Sequence, residues 1–144
     1  MVRQKKTIYT LDNIYLQGYV VNMKWDIEYT DEFGEWGDSL TEGEQESVRA
    51  SVKLLGNFGP SLPFPHSSGV NGSRHNHMRE LRIQHAGRPF RVLHAFDPRR
   101  CAILLIGGEK TGNDRWYEDY VPIADRLYDE HLETLKKEDS RNGS

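Results

Sequence analysis

The chain has 144 residues, 36% hydrophobic and 28% charged, which suits one polar domain with a single core and leaves little room for a second. No apolar run approaches the roughly 18 residues that span a bilayer, and the start lacks the charged-then-apolar pattern of a secretory signal. One cysteine, Cys101, excludes an internal disulfide or a cysteine-based zinc site, and its place in the apolar run 101–106 marks it as a core residue. A cytoplasmic domain is the expectation.

The formal net charge is −3, which by itself argues against a polyanion-binding protein. The charge is unevenly spread, however. Between Arg74 and Arg115 nine Lys/Arg face four acids, a net of +5, while the rest of the chain carries −8. Four of the six histidines, at 75, 77, 85 and 94, lie in the same basic segment. A basic centre between acidic flanks points to a local anionic ligand, although arginines on edge strands also serve simply to block aggregation.

In chain order, residues 1–22 open with the basic patch Arg3–Lys6 and show no clean hydrophobic period. They are expected to stand outside the domain as an extra strand, a disordered arm or the product of an upstream start, with Met23 as an alternative start. Lys24–Thr30 alternates Trp25, Ile27 and Tyr29 against Lys24, Asp26 and Glu28, the pattern of a half-buried strand. Thr30 or Asp31 can cap a short helix carrying Phe33, Trp36 and Leu40. Thr41 and Glu44 then form a capping box before Val48, Val52 and Leu55, and Gly59-Pro60 ends that second helix. Gly59–Ser73, with three prolines and three glycines, reads as a loop and the most flexible element.

Three strands are predicted at about 78–84, 89–96 and 101–106, joined by short connections at His85–Arg88 and Asp97–Arg100 into an antiparallel meander. A last helix is predicted from Asp119 or Pro122 to Lys137, lined by Val121, Ala124, Leu127, Leu132 and Leu135, with residues 139–144 as a disordered tail. The fold expected for 23–138 is α+β, with two N-terminal helices packed on a small antiparallel sheet and a C-terminal helix.

Several chemistries have no motif here: there is no P-loop, no G-x-S-x-G and no H-E-x-x-H. His75-x-His77 offers two imidazoles but no third ligand, so neither a metal nor another cofactor is expected. What remains is a set of cations and aromatics around the meander. Strand parity puts Leu81 and Ile83 on the core face and Arg82 on the other. Arg91 on the next strand converges with it on one anion if the register permits, since alternation along 89–96 leaves the direction of Arg91 open. Lys110 follows the Gly107-Gly108 pair, and Trp116 and Tyr117 come soon after, in a loop able to fold back. Guanidinium groups clamp phosphate oxygens, aromatics stack unpaired bases, and Lys, His or Tyr can exchange protons with a ribose 2′-OH and a leaving 5′-oxygen.

Taken together, Arg79-Glu-Leu-Arg82, Arg88-Pro-Phe-Arg-Val-Leu-His-Ala-Phe-Asp-Pro98, Ala102-Ile-Leu-Leu-Ile-Gly-Gly-Glu-Lys110, Trp116-Tyr117 and the closing helix resemble the HigB-like, phage-derived branch of the RelE toxin superfamily. The resemblance runs from about Met23 to Glu138. It implies a RelE-like fold and the toxin of a type II toxin–antitoxin pair, a metal-independent endoribonuclease that cleaves mRNA, commonly on the ribosome, and is neutralised by a helix-turn-helix antitoxin. It also implies catalytic roles for Arg82, Arg91, Lys110 and Tyr117. Arg74, His75, His77, Arg79 and Trp116 join them as candidate RNA contacts, Trp116 by stacking a base. The chain departs from this pattern in its net acidity and in lacking a histidine near the last strand. Those departures leave the acid and base open and keep a non-catalytic RNA-binding or inactive relative of the same fold as the alternative.

Overall fold

The computed structural model describes residues 7–9, 14–16, 19–21 and 24–142. Three short strands come first: β1 (Thr7–Tyr9), β2 (Ile14–Leu16) and β3 (Tyr19–Val21). They are followed by β4 (Asp26–Tyr29), α1 (Asp31–Asp38) and α2 (Glu42–Phe58). After a 3-10 turn at Gly59–Ser61 come β5 (Ser67–Gly69), β6 (Arg79–His85), β7 (Arg88–Phe96), β8 (Cys101–Glu109) and α3 (Trp116–Asn142). The remainder of 1–22, with its reading as an arm outside the domain, and the last two residues of the predicted tail lie outside the described residues.

Six strands form one sheet in the order β1-β4-β8-β7-β6-β5, and β2 pairs with β3 separately. β4 runs parallel to β8, whereas the other pairings are antiparallel. The sheet is therefore mixed rather than the purely antiparallel one expected, and a strand precedes the two helices. The reason is topological. The chain leaves the sheet at β4, crosses one face with α1 and α2 and re-enters at the far edge with β5, so that β8, the last strand of the meander, lies beside β4 and parallel to it.

Local signals account for the first two helices. The Thr30 hydroxyl accepts the Phe33 amide at 3.0 Å and donates to the Leu105 carbonyl at 2.7 Å, which starts α1 and ties it to the sheet. The Thr41–Glu44 capping box is present in both directions, at 2.8 and 3.2 Å, a feature worth about 1 kcal/mol. α1 and α2 cover one sheet face over Ile27, Leu81, Ile83, Phe90, Val92 and Leu104. α3 covers the opposite face over Leu93, Ala95, Cys101, Ile103 and Leu105. Cys101 is a core residue, as its apolar run suggests.

One irregularity sets the geometry that follows. Between Leu93 and His94 the partner on β8 jumps from Ile106 to Leu104, so Leu105 is an extra residue, a β-bulge. Counting in twos from Cys101 would send Glu109 to the α3 face and Lys110 away from it. The bulge reverses that parity, and Gly108 pairs with Arg91 on the α3 side.

Four boundaries differ from the sequence reading, the first being the end of β8, which runs through Gly107-Gly108 to Glu109 instead of stopping at about 106. The Gly59–Ser73 stretch is not wholly loop, because Ser67, Ser68 and Gly69 pair with Leu81, Glu80 and Arg79. Residues with weak strand preference form a strand here by adding to an available edge. α3 begins at Trp116, ahead of the predicted Asp119 or Pro122, and Pro122 lies inside it. At its other end α3 runs on to Asn142, past Lys137 and through part of the expected tail, since no glycine or proline interrupts it before Gly143.

Candidate functional site

The site is built on the α3 face where β5, β6, β7 and the start of α3 meet. Arg82 and Arg91 are direct cross-strand partners, the register needed for the two to converge. Both flank a carboxylate the sequence reading left out, Glu80. Its side chain is only 5% exposed and gathers four groups. Ser68 and Tyr117 each donate a hydroxyl to it at 2.6 Å, Arg82 donates at 3.1 Å, and Arg91 Nε lies 3.6 Å away. The signal for Glu80 was present in its parity with Arg82. Ser68 had none, because its position depends on the unpredicted strand β5.

The cations differ in access. The Arg82 side chain is 30% exposed, while Arg91 is almost buried and donates from Nη1 to the Phe90 carbonyl at 3.0 Å. Lys110 reaches this face through the bulge and places Nζ 4.9 Å from the Tyr117 ring centroid. Burial raises the Tyr117 pKa, and the hydrogen bond and charge of Glu80 raise it further against a smaller opposing effect of Arg91. Tyr117 is therefore a neutral phenol, a form that can give up a proton. The sequence-predicted set Arg82, Arg91, Lys110 and Tyr117 is brought together, with two arginines at one carboxylate and Lys110 against the tyrosine that binds it.

The remaining candidate RNA contacts are placed elsewhere. Trp116 is fully buried, stacked on Tyr120 at 4.5 Å, with its indole against Gly108. The core takes it because α3 starts at this residue, so it offers no face to a base. Arg79 has the parity of Leu81 and Ile83, opposite to Arg82, and donates to Ser67 Oγ at 3.1 Å. Arg74 and His75 bind Asp129, and His77 approaches the Tyr128 hydroxyl at 3.3 Å. These partners sit about 17 to 18 Å along α3 from Tyr117 at the helical rise. The loop carrying the three residues is thus fastened to the middle of the helix instead of closing over the site.

Two further groups bear on the chemistry. His94 is fully buried on the α1/α2 side, and burial pushes its pKa down to about 4, so it is neutral and remote from the array. Phe64, in the turn before β5, is 69% exposed and lies under the Arg82 guanidinium, 5.2 Å from Cζ to ring centroid. Among the described residues no group of three or more His, Cys, Asp or Glu is placed to hold a metal ion. No helix among them is long and apolar enough to cross a membrane.

Residues 35–129 match the family model described as phage derived protein Gp49-like (DUF891). The chain belongs to this family. Within it, the Gp49-like chain is 46% identical over 92 residues to "Putative toxin HigB3" of Mycobacterium tuberculosis, covering 63% of this chain and 79% of that protein. It is 41% identical over 99 residues to "Putative toxin HigB2" of the same organism, covering 67% of this chain and 49% of the relative, about half its length. These matches bear out the HigB-like resemblance read from the E-L-R, F-R-V, G-G-x-K and W-Y segments. No solved structure matches this Gp49-like chain.

Proposed function

We propose that this Gp49-like protein is the toxin of a type II toxin–antitoxin pair and acts as a metal-independent endoribonuclease on mRNA, in the cytoplasm and during translation. The observation that carries the reading is the convergence of Arg82, Arg91 and Tyr117 on Glu80, with Lys110 beside the Tyr117 ring, in a chain similar to two proteins named as toxins. In this reading Arg82 and Lys110 hold the scissile phosphate from the surface. Arg91 adds positive charge from beneath, where low exposure strengthens it. The ribose 2′-OH loses its proton to water and attacks phosphorus, the P–O5′ bond breaks to leave a 2′,3′-cyclic phosphate, and the neutral Tyr117 phenol protonates the leaving 5′-oxygen and regains its proton from solvent. The partner implied by the family is a helix-turn-helix antitoxin that covers this cationic face.

The test is induction of the wild type and of Arg82→Ala/Arg91→Ala in a bacterial host, followed by primer extension on cellular mRNA. Growth arrest with new 5′ ends for the wild type alone is expected. Equal toxicity of the folded double variant would remove the site. The burial of Arg91 favours one second reading, RNA binding without cleavage. Salt-sensitive binding of the purified wild type that leaves the RNA intact would select it.

A further inference from the structure

We propose that Phe64 and Arg82 form a stacking subsite for one unpaired nucleobase, which makes the ligand of this face a single-stranded RNA; the proposal rests on the RNA-directed reading above and deepens it. Only two large hydrophobic side chains are strongly exposed among the described residues, Phe58 and Phe64, and Phe64 at 69% is the more open. It is the one beside the cation array.

Its exposure is built in by the backbone around it. Leu62 is buried at 2% and anchors the segment on one side. His66 N and Ser67 N both donate to the Pro63 carbonyl, at 3.0 and 3.1 Å, closing a turn around the ring. Arg82 N then donates to the His66 carbonyl at 2.9 Å, which fixes that turn at the level of Arg82. The guanidinium is held over the ring by its bond to Glu80 at 3.1 Å.

A flat apolar ring, an adjoining guanidinium and a pair of deeper cations ask for a ligand with a flat aromatic group next to an anion. A nucleotide within a strand has that composition, with the base over Phe64 and its flanking phosphate on the arginines. A base inside a duplex has both faces stacked on its neighbours and none free for the ring. An apolar peptide side chain would use the ring and leave the cations unmatched.

The experiment uses the full chain and a fluorescein-labelled single-stranded oligoribonucleotide with 2′-O-methyl riboses, which cannot be cleaved through the 2′-OH. Binding is measured for the wild type, Phe64→Ala and Phe64→Tyr, on the intact strand, on versions abasic at each position in turn, and on the duplex. Removing the base at one position should weaken wild-type binding by about 5- to 100-fold. Phe64→Ala should lose a similar factor on the intact strand and be insensitive to that abasic site, and Phe64→Tyr should restore both. The duplex should bind the wild type no better than the intact strand binds Phe64→Ala. Phe64→Ala binding the intact strand like the wild type, or losing the same factor at the abasic site, overturns the subsite while ribonuclease activity on cellular mRNA stands. A wild type that binds no RNA overturns the subsite and the functional reading together.

Discussion

Two buried charge clusters lie on the α3 side of the sheet, and they use the same residue types in opposite proportions. Around Arg99, the carboxylates of Glu28 and Asp97 converge on one guanidinium, at 3.0 and 2.5 Å, and His131 joins Asp97 at 2.9 Å. Around Glu80, two arginines, a tyrosine and a serine converge on one carboxylate, with Lys110 close by. The first cluster pairs its charges internally, leaving only His131 Nδ1 without a hydrogen bond among the described residues, and holds the β7–β8 turn to β4 and α3. The second has cationic charge to spare at the surface. The ratio of acids to bases, more than their identity, separates a structural clamp from a place where an anion can bind.

The sharpest way to break this contrast is to remove one charged group from each cluster, a cation from the second and a carboxylate from the first, and measure two properties. Arg82→Ala should lower RNA cleavage by about 100- to 1,000-fold, the scale for losing one preorganised donor, while unfolding free energy in urea changes by about 1 kcal/mol or less. A loss of stability comparable to the loss of activity would place Arg82 in a clamp as well. The complementary change, Asp97→Ala, should cost about 3 kcal/mol in the same urea titration and leave the specific activity of the folded fraction unaltered.

The clamp also has a pH signature. Burial works to raise the Asp97 pKa, but hydrogen bonds from His131 and Arg99 outweigh it and hold the carboxyl below its ordinary range. Its contribution is thus present above the unfolded pKa of about 4 and disappears as pH falls through the folded value. Separately, buried His94 is moved from 6.5 to about 4, so the unfolded chain takes up a proton there that the folded chain refuses. Stability should fall by about 2 kcal/mol between pH 7 and pH 5 through this residue. Urea melts of His94→Leu at the two pH values should show that component missing.

The finest distinction concerns Glu80 itself. Glu80→Gln preserves shape but removes the charge that raises the Tyr117 pKa. Tyr117 should then ionise at lower pH, read from its 13Cζ resonance, and the alkaline limb of the cleavage profile should move the same way. An unmoved resonance would mean that burial alone sets the phenol.

Much of this arrangement was legible in the sequence. The Thr30 and Thr41 caps, the Gly59-Pro60 stop and the parity of Leu81, Arg82 and Ile83 are local properties, and the structure reproduces them. The short hairpin allowed the Arg82–Arg91 meeting but left the direction of Arg91 open, and the register of β6 against β7 decides it. What failed depended on long-range partners. Ser67–Gly69 becomes a strand only because β6 offers an edge, and the residues 74–77 are drawn to α3 by Asp129 and Tyr128. Trp116 looked available because Trp116 and Tyr117 are adjacent in sequence, whereas their first-turn helical positions aim one into the core and one at Glu80. The bulge at Leu105, which delivers Lys110, has no signature in an unbroken apolar run.

The Gly107-Gly108 pair carries a consequence of its own. A methyl on Gly107 would run into Trp36 of α1, and one on Gly108 would come within 2.8 Å of Trp116 of α3. At this dipeptide the two helical layers are separated by a single bare backbone. Neighbouring codons there answer to different halves of the molecule, and a disturbance under α1 has one peptide's thickness to cross before it reaches the indole packed beside Tyr117.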